Sequence, residues 1–206
     1  MEALELSIPS ARGPVAALYH PPEDSGPVVL CVGGFDGGFD GPADGLFPAL
    51  AEDLAPHGIG VLRVDFRDRR SPGIVTDGAS DVMAAVSELE RLGVRRFGLV
   101  GHSFGAAVMI HVGARVPAVE TVVTLSAQTA GAGDAPRLAP RALLLIHGLD
   151  DIRLSPDCSR YLYRIAGEPK KLVLLEGARH SLRQCAGEVR ELTSTWLIEH
   201  LAAGRD

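Results

Sequence analysis

The chain has 206 residues, of which 46% are hydrophobic, enough for one large core and short for two domains. The formal net charge of -6, with no long run of lysine or arginine, argues against a nucleic-acid-binding protein, because such proteins neutralise phosphates. Three scattered cysteines exclude a disulfide framework and a cysteine zinc site, and they fit a reducing compartment. We therefore expect one domain spanning residues 1–206.

The hydrophobic pattern contains no segment that would enter or cross a membrane. The first residues lack the basic stretch followed by an apolar stretch that a secretory leader needs. No apolar run approaches the length of a membrane span. These features predict a soluble, cytoplasmic protein that has neither membrane nor nucleic-acid partners.

Short apolar runs alternate with helical patterns along the chain. The first two runs, at residues 4–8 and 15–19, flank an Arg-Gly-Pro turn and predict an antiparallel hairpin. The later runs are continuously apolar, which indicates a mainly parallel sheet of about eight strands with helices on both faces, an α/β class. Strands are predicted at 28–32, 59–64, 97–100, 119–125, 142–146 and 172–175, and helices at about 45–57, 77–92, 104–115, 156–166 and 184–201. The Gly/Ala/Pro-rich segment 130–140 is predicted to be a loop too short for a helical lid.

The pentapeptide Gly101-His102-Ser103-Phe104-Gly105 joins a predicted strand to a predicted helix. A serine on such a sharp turn is placed for nucleophilic attack, and the flanking glycines allow the backbone segments to approach closely. In a chain with 24 glycines the same pattern also arises by chance, so its meaning depends on its partners.

Serine needs a base within hydrogen-bond reach and a carboxylate that orients the base. In a parallel sheet such groups collect at the carboxyl ends of the strands, where Asp150, Asp151 and His180 follow predicted strands. Of the seven histidines, His147 and His180 are the candidates for the base. We favour His180, in a glycine-containing loop before the last helix, and expect His147 to brace the loop that carries the acid. His102, on the turn itself, is expected to point away from the serine hydroxyl.

These motifs resemble those of the α/β-hydrolase superfamily. The matching pieces are the elbow at residues 101–105, an H-G-x-x-D loop at 147–151 and a G-x-x-H loop at 177–180, in the family's order. The resemblance covers nearly the whole chain from about residue 15 and implies an α/β-hydrolase fold without a cap domain. It implies Ser103 as nucleophile, His180 as base and Asp151 as acid, with Asp150 as the competing acid.

The family also places two backbone N–H donors at the oxyanion that develops during acyl transfer. Carried over to this chain, the resemblance points to the N–H groups of Phe104 and Phe35. The loop at residues 31–38 departs from the family's common pattern, since Gly33 stands where a histidine is frequent. The alternative for this loop is a plain glycine-rich turn. A phosphate-binding loop is excluded, because the G-x-G-x-x-G spacing and a Walker lysine are both missing.

Two charged clusters carry weaker signals. Asp36, Asp40 and Asp44 recur every four residues but do not match a calcium-binding loop, so we expect solvated carboxylates and neither a metal nor a cofactor. Residues 67–70, Arg-Asp-Arg-Arg, follow a predicted strand. They either face the same crevice and favour an anionic substrate group or form an ordinary charged surface.

The sequence therefore predicts a small serine hydrolase without a lid, which cleaves a small-molecule ester or thioester of a short acyl group through an acyl-enzyme on Ser103. It is similar to the dienelactone-hydrolase-like and acyl-thioesterase branches of the superfamily. Two alternatives use the same fold: acyl transfer to an acceptor other than water, and a non-catalytic binding or signalling module.

Overall fold

The β-sheet places the carboxyl ends of six parallel strands along one edge. A computed structural model describes residues 3–23, 25–67 and 75–202. The strands follow the order β1-β2-β4-β3-β5-β6-β7-β8, and β2 runs antiparallel to both of its neighbours while the other pairs are parallel. This confirms the predicted hairpin and mainly parallel sheet. The strands are β1 (Leu4–Ile8), β2 (Val15–His20), β3 (Val28–Val32), β4 (Gly60–Asp65), β5 (Phe97–His102), β6 (Val119–Leu125), β7 (Ala142–Gly148) and β8 (Lys170–Leu175).

Five α-helices in the described residues connect or follow these strands. Ala43, Asp44 and Gly45 have positive φ angles, so regular helical geometry in the first helix begins after Gly45, as the sequence predicted. Among the described residues, no helix is long and apolar enough to cross a membrane. The helices are α1 (Pro42–Leu54), α2 (Val75–Arg91), α3 (Phe104–Gly113), α4 (Asp157–Ile165) and α5 (Ala186–Leu201).

Strand β3 shows why the central strands are apolar at every position. Its residues alternate between two hydrophobic cores: Val28, Leu30 and Val32 pack on the face covered by α2, α3 and α4. Val29 and Cys31 pack on the face covered by α1 and α5. All five side chains are fully buried, because helices cover the sheet on both sides. The predicted three-layer arrangement is therefore confirmed.

The segment between β6 and β7 lies close to the carboxyl edge of the sheet. Within the described ranges no segment forms a cap, and residues 126–141 between β6 and β7 contain only the short 3-10 helix Ala135–Arg137. This segment buries Ala132, Ala135 and Leu138 against the core. The predicted loop at 130–140 thus lies against the body of the protein and, among the described residues, does not cover the strand ends.

Candidate active site

Ser103 occupies a strained turn between β5 and α3. Its φ of 56° and ψ of -115° lie outside the regions that residues with a side chain normally adopt. The serine N–H donates to the carbonyl oxygen of Leu125 at 2.8 Å, which ties the turn to the neighbouring strand. Ser103 is 6% exposed and lines the crevice at the strand ends.

The glycines on either side of Ser103 are required by space. A Cβ on Gly105 would collide with the carbonyl oxygen of Gly33 and would lie 2.8 Å from Val32 Cγ2. A Cβ on Gly101 would collide with the carbonyl of Gly105, 2.6 Å from its carbon. The close approach of α3 to the end of β3 thus explains Gly105, and the close approach of the first turn of α3 to the end of β5 explains Gly101.

His180 joins Ser103 to Asp151. Its Nε2 lies 3.1 Å from Ser103 Oγ, and its Nδ1 lies 2.7 Å from Asp151 Oδ2. The imidazole is 14% exposed, whereas the side chain of Asp151 is fully buried. Three residues separated by up to 77 positions in the chain therefore form one hydrogen-bonded chain at the carboxyl edge of the sheet.

Backbone donors hold the Asp151 carboxylate in place. Its Oδ1 accepts hydrogen bonds from the N–H groups of Arg153 at 2.8 Å and Leu154 at 3.0 Å. Burial by itself raises the pKa of Asp151, but the bonds from Leu154, His180 and Arg153 outweigh it and lower the pKa below its usual range. The carboxylate consequently stays ionised at neutral pH and can orient an imidazole.

Asp150 is directed elsewhere. Its side chain is exposed, and its backbone N–H donates to the carbonyl oxygen of Ala178 at 3.0 Å. It is Asp151 whose carboxylate contacts His180. Of the two acids that the sequence left open, the structure brings only Asp151 to the histidine.

His147 lies behind Asp151, as the sequence predicted. Its Nε2 is 3.1 Å from the carbonyl oxygen of Leu154 and 3.2 Å from Asp151 Oδ2, and both of these atoms accept hydrogen bonds. The hydroxyl of Ser159 lies 2.7 Å from Nδ1, so the serine donates and the imidazole carries its proton on Nε2. Burial lowers the pKa of His147, which keeps the ring neutral. The histidine thus braces the acid loop.

His102 lies in an unexpected place. His102 directly precedes Ser103 in the chain. Its ring packs against the ring of His180, and the two ring centroids are 4.9 Å apart. Its Nε2 lies 3.0 Å from the backbone carbonyl oxygen of His180. Burial lowers the pKa of His102 to about 4, so the ring is neutral near pH 7. The sequence reasoning did not foresee this contact, because it depends on a loop 78 residues away.

The glycine-rich loop after β3 lies beside the nucleophile. A Cβ on Gly34 would be 3.1 Å from the Cβ of Ser103, so the backbone that leads into Phe35 runs next to the serine. Phe104 is the first residue of α3, where a backbone N–H has no acceptor within the helix. The rings of Phe35 and Phe104 pack 5.4 Å apart, which ties this loop to the elbow.

A crevice of about 350 Å³ opens above these groups. Two cationic side chains, Arg153 and Arg183, line it and are about 70% exposed. Arg67, which the sequence offered as a crevice residue, instead forms an ion pair with the buried carboxylate of Asp81 on α2. Residues 68–70 of the same cluster lie outside the described residues. The remaining walls include Gly34, Phe35, Gln128, Leu154 and Ser181.

The aspartates before and within the start of α1 remain dispersed. Asp36 and Asp40 are largely exposed, and Asp44 pairs with Arg183 at 3.1 Å. In the described part of the chain, no group of three or more histidine, cysteine or acidic side chains could hold a metal ion.

Known structures share this architecture. The chain is similar to Est1E from Butyrivibrio proteoclasticus, with a TM-score of 0.81 at 16% identity over 97% of this chain and 99% of that one. Dienelactone hydrolase from Anabaena variabilis gives 0.80 at 19% identity over 98% and 100%. A serine hydrolase without a lid from Xanthomonas campestris gives 0.76 at 18% identity over 99% and 97%.

The chain therefore has the α/β-hydrolase fold, and the residues that the structure describes include no cap. This confirms the fold that the elbow, the H-G-x-x-D loop and the G-x-x-H loop implied. The sequence itself matches no protein-family model and no curated protein.

The contact between α3 and β3 predicts an unusual response to a helix-favouring substitution. Alanine is about 1 kcal/mol better than glycine inside a helix, yet we expect Gly105→Ala to lower the free energy of unfolding by about 1–3 kcal/mol through overpacking. Urea denaturation measures the change. Gly133→Ala is the control, because a Cβ there meets no atom within 4 Å and its effect should stay within about 0.5 kcal/mol. Equal stability of the two variants would contradict the close approach.

Proposed function

We propose that the protein is a serine hydrolase that cleaves a carboxylic ester or thioester of a small acyl group. The observation that supports this most is the position of His180, whose two ring nitrogens face Ser103 and Asp151 at hydrogen-bond distance. A serine, a histidine and a carboxylate in this arrangement are the groups that acyl transfer needs.

In the proposed cycle Ser103 is the nucleophile and His180 the general base. The imidazole accepts the hydroxyl proton as Oγ bonds to the carbonyl carbon of the substrate, and it then gives this proton to the departing alcohol or thiol. Asp151 stabilises the imidazolium and holds the tautomer in which Nε2 faces the serine. A water molecule, activated by the same imidazole, then cleaves the acyl-enzyme and releases the acid.

The developing oxyanion requires donors on the side of Ser103 opposite its base. We assign this role to the backbone N–H groups of Phe104 and Phe35. Three features support the assignment: Phe104 begins a helix, the Gly34 backbone runs beside Ser103, and the two rings pack together. Removal of one donor of this kind costs about 100- to 1000-fold in kcat in serine hydrolases.

A covalent probe tests the nucleophile directly. We expect a fluorophosphonate to label the wild-type protein and to fail with Ser103→Ala, because the phosphorus bonds to the hydroxyl oxygen of Ser103. His180→Ala should label far more slowly, since the general base is lost. Intact-protein mass spectrometry measures both results.

Ser181 provides a matched control for this labelling, because it is a second serine that lines the same crevice. Ser181→Ala should be labelled like the wild type. Undiminished labelling of Ser103→Ala would refute the assignment of the nucleophile. A folded wild type that resists the probe would favour a non-catalytic binding module.

Replacing each of the two neighbouring acids by asparagine should have different effects on kcat. Asp151→Asn should lower kcat by about four orders of magnitude, because an amide N–H facing Nδ1 favours the wrong tautomer of His180. Asp150→Asn should leave kcat nearly unchanged, since the exposed carboxylate makes no contact with His180 and its backbone bond to Ala178 is retained. Ester hydrolysis by the two folded variants measures the difference, and equal losses would remove Asp151 from its role.

The shallow crevice predicts a preference for short acyl groups. With about 350 Å³ and no cap above the described strand ends, acyl chains of roughly two to four carbons should give the highest kcat/KM. A series of p-nitrophenyl esters and matched thioesters of increasing chain length measures this preference. A maximum at long chains would contradict the crevice as the acyl site.

A further inference from the structure

His102 takes no part in the proposed chemistry, yet it contacts the proposed base. Its Nε2 lies 3.0 Å from the backbone carbonyl oxygen of His180. A carbonyl oxygen only accepts hydrogen bonds, so this contact requires a proton on Nε2. Because burial keeps the ring neutral at pH 7, Nδ1 is then left without a proton. The contact therefore selects a single tautomer of His102.

The loop that carries His180, residues 177–182, is held by its backbone. We call it the base loop. The carbonyl oxygen of Ala178 accepts from Asp150 N–H at 3.0 Å, which ties the loop to the acid side of the site. The carbonyl oxygen of Ser181 accepts from Ala43 N–H at 2.8 Å, which ties it to the start of α1. The contact from His102 to His180 adds a tie to the elbow itself.

The bond from His102 to the His180 carbonyl acts on the distance between the base and the nucleophile. His102 and Ser103 are adjacent on a rigid turn, so a bond from His102 to the base loop fixes the backbone of His180 relative to the nucleophile. Asp151 fixes the far end of the same imidazole at 2.7 Å. Catalytic groups must be held within about 0.5 Å of their working positions, and an error of about 1 Å costs roughly 100-fold in rate.

We propose that His102 is a positioning residue for His180, in which the neutral imidazole donates its Nε2–H to the His180 carbonyl and so holds the base loop on the elbow. This inference rests on the proposed hydrolase function and goes beyond it. It assigns a role in turnover to a residue that acts through the backbone of His180. Loss of the donor should slow the chemical step and leave substrate affinity nearly unchanged.

Two substitutions of His102 distinguish the effect of its N–H donor from the effect of its ring volume. His102→Leu retains much of the volume but has no donor, and we expect kcat to fall by about 10- to 100-fold with KM changed less than about threefold. His102→Gln places an amide N–H near the position of Nε2, and it should recover kcat to within about fivefold of the wild type. The rate of fluorophosphonate labelling should follow kcat in both variants.

His200 offers a matched control on α5. Its Nδ1 lies 2.8 Å from the carbonyl oxygen of Trp196, and the two rings stack 4.2 Å apart, so the contact has the same chemistry as that of His102. His200→Leu should therefore carry a similar structural cost and leave kcat unchanged. Thermal unfolding of all three variants shows whether a loss of activity reflects loss of folded protein.

The outcomes differ for each competing explanation. A folded His102→Leu with kcat within twofold of the wild type would overturn the proposal. His102 also lines the crevice, so a rise in KM at constant kcat would overturn the positioning role in favour of direct contact with the substrate. Equal loss in His102→Gln and His102→Leu would show that the donor is not the cause.

Histidine-selective ¹⁵N NMR tests the same inference on the wild-type protein, in case His102→Leu does not fold. We expect the His102 ring at pH 7 to be neutral, with its proton on Nε2, and its signals to be identified by their loss in His102→Gln. A proton on Nδ1, or a doubly protonated ring, would overturn the proposal.

The spectrum also reports the position of His180 without any turnover. The Nδ1 proton that bridges His180 and Asp151 should give a downfield signal that is retained in His200→Leu and shifts or broadens in His102→Leu or His102→Gln according to how well the base loop is held. An unchanged signal in every folded His102 variant would contradict the positioning role. Failure of the hydrolase proposal would instead appear as a wild type that is neither labelled at Ser103 nor active.

Discussion

The close approach of α3 to the end of β3 is the constraint on which the whole site depends. Gly105 lies against the carbonyl of Gly33, with no room for a side chain, and the chain enters α3 through the strained backbone of Ser103. This contact brings two loops together, the glycine-rich one and the elbow. Without it, Ser103 would keep its place in the chain but would lose the neighbouring Gly34 backbone.

Asp151 is a buried carboxylate held between two histidines of the proposed site. Four donors surround Asp151 and keep it ionised, while burial keeps the imidazoles of His102 and His147 neutral. Both rings act as donors to oxygen atoms, one on the base and one on the acid. The proton that moves in the proposed cycle therefore has a single carrier, His180, although three histidines lie within one small region.

The sequence predicted the sheet well because its central strands are covered on both faces, and a run such as residues 28–32 can then be apolar throughout. It also predicted that His147 braces the acid loop, since His147 lies at the end of β7, directly before that loop. The H-G-x-x-D motif favoured Asp151 over Asp150 through the resemblance, but chain position alone did not separate them, because the direction of two adjacent side chains depends on how the loop turns. The contact of His102 with His180 depends on loop packing across 78 positions, for which the sequence has no periodic signal.

The anchoring of the base loop by its backbone has an evolutionary consequence. Carbonyl oxygens at Ala178, His180 and Ser181 hold the loop, and these atoms are present whatever the side chains are. The exposed side chain of Arg179 and that of Arg183, whose ion pair with Asp44 is also exposed, take no part in these bonds, so they can change without loss of the bonds that hold His180. Since Arg183 also lines the crevice, substitutions at this position can alter which substrates bind while His180 keeps its position relative to Ser103.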